Sequence, residues 1–435
     1  DPPQGPISPS YKTLDEVEPR IPVGPDTTPG DEDSIYKITE PGSYYLTGVV
    51  EGVNNKHGIE ISASSVTLDL NGFEVHGSVL ALDGIHVSNQ FIVDVVIRNG
   101  IVQAWGGDCI SAVADDVRID SVNATLSING AGFHVGDDAR ITNCVAQSVA
   151  SGFVGGDNCW IDGCTARQVG TLYGFDFGFG CTIQNSAAYQ VEETGIHLSG
   201  GTIRNCSARA CGGMGIFVFL DGVVEGCRAV ANGDDGIRVE AGGVVSGCVA
   251  NNNGTDGIAA GSDVTIESSK SDGNAGPGFG VGGNGVISEC TATSNDAHGF
   301  TVGLNTMIRG CVAVGNDQNG IDTTDNAFVV DCLANNNGNH GVRVDTDCIV
   351  RTCLANDNVQ YGMSTINVDN WFEGNKADHN QRGINVQNID NVITRNQLRS
   401  NNIDSVISGG NAVGTIVVSN GAMNSAENDL INIEF

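Results

Sequence analysis

The chain has 435 residues, of which 61 are Gly, 10 are Pro and only 17% are charged, a composition that excludes a disordered polyelectrolyte. Its 52 acidic and 20 basic residues give a formal net charge of −32, which argues against nucleic acid and anionic lipid as partners. No apolar run approaches the roughly 18 residues that a membrane-spanning helix needs, so no membrane insertion is expected.

Residues 1–50 read as an N-terminal arm and cap. The first 35 are rich in Pro, Asp and Gly, with Tyr11, Leu14, Val17 and Ile21 as anchors of an extended arm. The start at Asp1-Pro2-Pro3 is what signal cleavage leaves behind, or a trimmed chain. From Tyr36 to Val50 the pattern is strand–turn–strand about Pro41-Gly42, with Tyr44 and Tyr45 placed to cover an open core. Ile59-Glu60-Ile61 and Val66-Thr67-Leu68-Asp69-Leu70 then alternate with period two, as half-buried strands do.

Residues 51–418 carry a repeat that settles to 21 residues. One position reads Cys206, Cys227, Cys248, Ser269, Cys290, Cys311, Cys332 and Cys353. Five residues further stand Asn232, Asn253, Asn274, Asn295, Asn316, Asn337, Asn358, Asn380 and Asn401. A Gly follows in step, from Gly215 through Gly299 and Gly341 to Gly383. A period this short marks a solenoid. Three short strands and three tight corners use up 21 residues; in one copy the strands are expected at Phe328–Asp331, Cys332–Ala334 and Val342–Val344. Parallel strands joined by crossovers take the right-handed sense. The fold class is therefore all-β, a right-handed parallel β-helix of about 15–17 coils stacked at roughly 4.8 Å.

Each ladder Asn is expected at a corner in αL geometry, its amide bonded to the next Asn along the stack. The repeat Gly is expected to supply the other bend, where a Cβ would clash. Of the 14 Cys, most belong to the ladder and act as small buried hydrophobes. Cys159 and Cys181 lie one coil apart and within disulfide reach, a bridge that would favour an oxidising compartment. The non-repeating tail 419–435 is expected to fold back as a cap, or to link chains through Leu430, Ile431, Ile433 and Phe435.

Three stretches carry a resemblance: Lys12-Thr13-Leu14-Asp15-Glu16-Val17-Glu18-Pro19-Arg20, Pro41-Gly42-Ser43-Tyr44-Tyr45-Leu46-Thr47 and Val66-Thr67-Leu68-Asp69-Leu70-Asn71-Gly72-Phe73. Together they resemble a family of exported bacterial right-handed β-helix proteins. The resemblance implies export to the cell surface or the medium and the fold, and carries no catalytic residues with it.

Catalytic groupings are sparse. Leu82-Asp83-Gly84-Ile85-His86-Val87 and Gly107-Asp108-Cys109-Ile110-Ser111 are similar to fragments of two polygalacturonase-type motifs. Gly107 replaces the first Asp of the doublet, and the Gly-His-Gly and Arg-Ile-Lys elements are missing. Asp83 and Asp108 are thus catalytic candidates beside a plainer role as corner residues. Asp235 and Asp256 share one slot in adjacent coils with Asp234 beside them, a stack of like charges that either lies on a solvated surface screened by water or binds Ca²⁺. No histidine shows metal-ligand spacing. Asp322 and Arg343 should pair across neighbouring coils. Phe153, Phe175, Phe279 and Phe300 should stack inward, while Tyr173, Phe177, Phe179 and Phe217 lie off that ladder and would make a sugar-stacking strip if they face out.

The expectation is a non-catalytic, exported structural or adhesive protein that needs no cofactor and assembles with itself or binds extracellular polysaccharide. The alternative is a polysaccharide-active enzyme, a hydrolase, lyase or epimerase, working on a long face of the β-helix.

Overall fold

The structure, a computed structural model, describes residues 20–419. The expected anchors Tyr11, Leu14 and Val17 and the tail residues Leu430, Ile431, Ile433 and Phe435 lie outside them. The chain divides into two compact units, Asp1–Gly156 and Asp157–Phe435. Each is an all-β, right-handed parallel solenoid in which every strand pairs with its counterpart one coil away.

Unit 2 shows the coil plan most clearly. Phe328–Val330, Leu333–Asn335 and Val342–Val344 are the first, second and third strands of one coil. They pair in parallel register with the next, Phe328 opposite Ile349, Leu333 opposite Leu354 and Val342 opposite Met363. Twelve third strands stack in this unit, from Phe175–Phe177 to Ile403–Ile407. Side chains alternate along them. Ile237, Ile258, Phe279, Phe300 and Ile321 point inward and are fully buried, with the Phe279 and Phe300 rings stacked at 4.8 Å. Each such burial contributes roughly 1.5–3 kcal/mol.

Every corner of this coil holds a residue in the left-handed region: Asp331, Asn336 and Asp347, each with φ of 55°. The residue after each turns its side chain into the core: Cys332, Asn337 and Cys348. The αL position is therefore one residue ahead of the ladder Asn. Its side chain points out, which leaves the following amide free to face the stack. Asn316 shows what that achieves. Its N–H and Nδ2 both donate to Asn337 Oδ1 at 3.2 and 3.0 Å, and Nδ2 also reaches Ala292 O at 3.2 Å. Its own Oδ1 accepts from Asn295 in the same way. The Cys column imitates this more weakly: Cys206 N–H meets Cys227 Sγ at 3.4 Å, and each thiol donates to a carbonyl two residues back. A third column at the remaining corner, Cys348, Asn370, Asn391 and Asn411, repeats the amide pattern. Sequence reading missed it because only its last members are Asn.

The repeat Gly is needed for closeness rather than for a bend. Gly341 has no positive φ, but a Cβ there would stand 2.6 Å from Gly362 O and 2.8 Å from Asn358 Nδ2. Cys159 and Cys181 do sit in one column, with Cys159 N–H donating to Cys181 Sγ at 3.2 Å. Their thiols donate to Asp157 O and Phe179 O, and no disulfide joins them.

Unit 1 has longer coils. The expected cap is itself coiled: Ser34–Ile38 pairs in parallel with His57–Ile61, and Gly42–Tyr45 with Val66–Asp69. Tyr44 is buried there, its hydroxyl donating to Glu40 O at 2.9 Å. Six third strands stack in this unit, ending at Ser151–Val154. With unit 2 that exceeds the expected coil count, because stacking starts at Ser34 rather than at residue 51. Trp105 fills the extra width of the coils, fully buried with Nε1 donating to Val75 O at 3.0 Å.

Candidate functional site

The chemistry-bearing side chains of unit 2 gather on the outer surface of the third strands and on the corner that leads into them. Strand pairing places Asp176, His197, Phe217 and Arg238 in one outward column, continued by Ala259, Gly280, Thr301, Asp322 and Arg343. Tyr173, Asp235, Asp256, His298, His340 and Tyr361 occupy the corner alongside.

The column opens with an aromatic strip. Tyr173 and Phe217 each stack on His197 at 5.3 Å, and His197 Nδ1 lies 2.6 Å from Asp176 Oδ1. Phe177, by contrast, is buried inward, since its strand position has the opposite parity. Phe179 is exposed in the loop.

Next comes a carboxylate pair. Asp235 is buried and fully engaged: Arg238 Nη1 donates to Oδ2 at 3.2 Å, while Thr255 Oγ1 and the Asp256 N–H donate to Oδ1, the latter at 3.0 Å. Thr255 Oγ1 also lies 2.9 Å from Asp234 Oδ1, and Arg238 Nε donates to Glu240 at 2.7 Å. Asp256 differs. Its carboxyl rests above Gly280, where a Cβ would fall 2.2 Å from Oδ2. Burial, reinforced by the charge on Asp235, pushes its pKa up to about 7. Beside it the small residues Ala259 and Gly280 leave a groove of about 390 Å³, lined also by Arg238, Pro277, Thr301 and Thr324.

Beyond the groove Asp322 accepts from Arg343 Nη1 and from Asn319 Nδ2, both at 3.0 Å, which realises the expected cross-coil pair. His340 stacks on Tyr361 at 4.6 Å, and Arg382 lies over that ring. Burial, helped by the Arg343 charge, lowers the His340 pKa to about 4. A carboxyl that keeps its proton up to near neutral pH beside an ion-paired one, at a groove lined by the Arg238 guanidinium, can donate a proton to a ligand bound there.

In unit 1 Asp83 and Asp108 sit on successive corners. Asp83 Oδ1 accepts the Asp108 N–H at 2.8 Å, and Asp108 Oδ1 accepts the Ala131 N–H at 2.7 Å, so each carboxylate braces the next corner. Their other oxygens face histidines, Asp108 toward His134 Nδ1 at 3.2 Å and Asp83 toward His57 and His86. The sequence reading saw no metal-ligand spacing among the histidines. It missed this convergence because His57 and Asp83 are 26 residues apart, off the 21-residue period.

A comparison with curated protein sequences gives no match. Among solved structures the chain is similar to the A-module of the Azotobacter vinelandii mannuronan C-5 epimerase AlgE4, at 14% identity, with 87% of this chain and 91% of that one covered and a TM-score of 0.30. It is also similar to the bacteriophage CBA120 tailspike protein 3 (10% identity, 96% and 63% covered, TM-score 0.32) and to pectate lyase Pel9A (17%, 80% and 70%, 0.23). Three overlapping stretches of unit 2, residues 174–262, 199–331 and 259–386, match the family model described as "Right handed beta helix region".

Proposed function

We propose that this protein acts on an extracellular polysaccharide laid along the third-strand face of unit 2, with Asp256 as the proton donor. The observation that carries this reading is Asp256 itself: a carboxyl poised to hold its proton near neutral pH, above a glycine floor, in a groove open to ligand. Hydrolysis breaks the glycosidic C–O bond as a proton reaches the leaving oxygen and water adds to the anomeric carbon, passing its own proton to solvent; a carboxylic acid with a raised pKa supplies the first proton. Asp235 and Arg238 act behind it, the first by raising that pKa and the second by holding Asp235 in place. The strip Tyr173–His197–Phe217 offers flat apolar surface for sugar rings.

The expectation of a structural scaffold rested on the absence of a catalytic constellation together with the regular ladders, the acidic surface and the tail; Asp256 beside Asp235 and Arg238 supports the enzyme alternative instead. Ca²⁺ bound by Asp234, Asp235 and Asp256 is the competing use of the same oxygens; Arg238 and Thr255 already take those of Asp235, which favours the acid role.

The test is release of reducing ends from a panel of neutral and acidic polysaccharides. Asp256→Asn should lower the rate by about 10²–10⁴-fold with the coils intact by circular dichroism. Wild-type activity should fall as pH rises past 7, where the donor is lost. Equal rates for Asp256→Asn and wild type, or no cleavage of any glycan, would overturn the reading.

A further inference from the structure

Three side chains of unit 1 bring ligand-type atoms to one point. His57 and Asp83 occupy the same corner in adjacent coils, and His86 is the outward residue of strand Ile85–Val87. Asp83 Oδ2 lies 3.1 Å from His86 Nδ1 and 3.4 Å from His57 Nδ1, and each of the three residues offers a ligand-type atom within 4.8 Å of the other two. The two imidazoles stack at 4.1 Å. Asp83 Oδ1 is tied to the Asp108 N–H, which fixes the carboxylate with Oδ2 toward the rings.

The Asp83 N–H points at His57 Nδ1 from 3.2 Å, so that nitrogen carries a lone pair. Asp83 Oδ2 faces the same nitrogen from 3.4 Å, longer than a hydrogen bond between them would hold. A cation set among the three atoms would meet lone pairs from each. Two ligands bound at about 2.0–2.1 Å in tetrahedral geometry stand roughly 3.3–3.4 Å apart, close to both measured separations.

We propose that His57, Asp83 and His86 form a binding site for a divalent transition-metal ion of the Zn²⁺, Co²⁺ or Ni²⁺ class. Each histidine contributes Nδ1 and Asp83 contributes Oδ2, leaving a further position for water. Two imidazoles select this class over Ca²⁺, which takes six to eight oxygens. The three side chains are 15–26% exposed, enough for an ion to enter from solvent. The neighbouring Asp108–His134 pair has only two such groups and serves as the internal control.

The untagged, chelator-stripped chain is titrated with CoCl₂ and then with ZnCl₂. We expect the visible absorption of four-coordinate Co²⁺ at one equivalent, its loss on adding Zn²⁺, and a higher Tm with either metal. His57→Ala and His86→Ala should each weaken Zn²⁺ binding at least tenfold, and His134→Ala should leave it unchanged. Circular dichroism checks that each variant keeps its coils. The site is overturned if wild-type protein shows neither the cobalt band nor a Tm shift, if binding survives in the His57→Ala/His86→Ala double variant, or if CaCl₂ binds as tightly as ZnCl₂.

Discussion

Within unit 2 the Asn column and the outward third-strand column run along the same coils under opposite rules. Nine successive coils keep Asn at one position, from Asn232 to Asn401. Over six of these coils the outward column reads Arg238, Ala259, Gly280, Thr301, Asp322, Arg343. An inward amide must match the amides above and below it, or a buried donor is left without a partner. An outward side chain need not repeat the one above or below it. Uniformity therefore marks what holds the coils together, and variety marks where recognition can be written.

The largest way to break that contrast is to remove one rung. Asn316 takes part in five hydrogen bonds in a site 1% exposed, so Asn316→Ala should cost about 3 kcal/mol by urea unfolding. The outward change Arg309→Ala, in the same coil and exposed, should stay within about 0.5 kcal/mol. Equal urea midpoints for the two variants would abolish the distinction.

A smaller effect comes from Asp256. Its folded pKa of about 7 stands above the ordinary 3.8, so between these values the folded chain holds a proton that the unfolded chain has released. The stabilisation is complete below about pH 4 and is lost as pH rises through 7. Asp256→Asn should flatten this dependence and raise stability at pH 8 by on the order of 1–2 kcal/mol, allowing for solvent screening of a part-exposed carboxyl. Parallel unfolding curves of the two proteins across pH 5–8 would contradict it.

The smallest effect is expected in the Cys column. Ser269 already stands in it, accepting the Cys248 N–H at 3.1 Å and donating to Glu267 O at 2.9 Å. Cys311→Ser should therefore cost less than about 1 kcal/mol. All fourteen cysteines are buried, so native protein should not react with a thiol reagent until it unfolds.

Much of the architecture was legible in the spacing. The coil plan, the Asn and Cys columns, the inward phenylalanines and the Asp322–Arg343 pair all follow from counting 21. The αL corner was placed one residue late, because spacing marks the residue that is kept and says nothing of its φ. Asp235 and Asp256 were picked out as stacked carboxylates. Their different surroundings were not visible, since they depend on a guanidinium and a hydroxyl that turn toward one and a glycine floor beneath the other.

What the sequence determined by itself is one-dimensional: which residues recur, and hence which side chains lie over one another, because coils of equal length stack only in register. The tertiary structure alone decided which unlike side chains converge and how dry each becomes. His57, Asp83 and His86 meet across coils of unequal length, and the burial around Asp256 raises its pKa. Both are set by corner geometry and packing in three dimensions, which no period along the chain records.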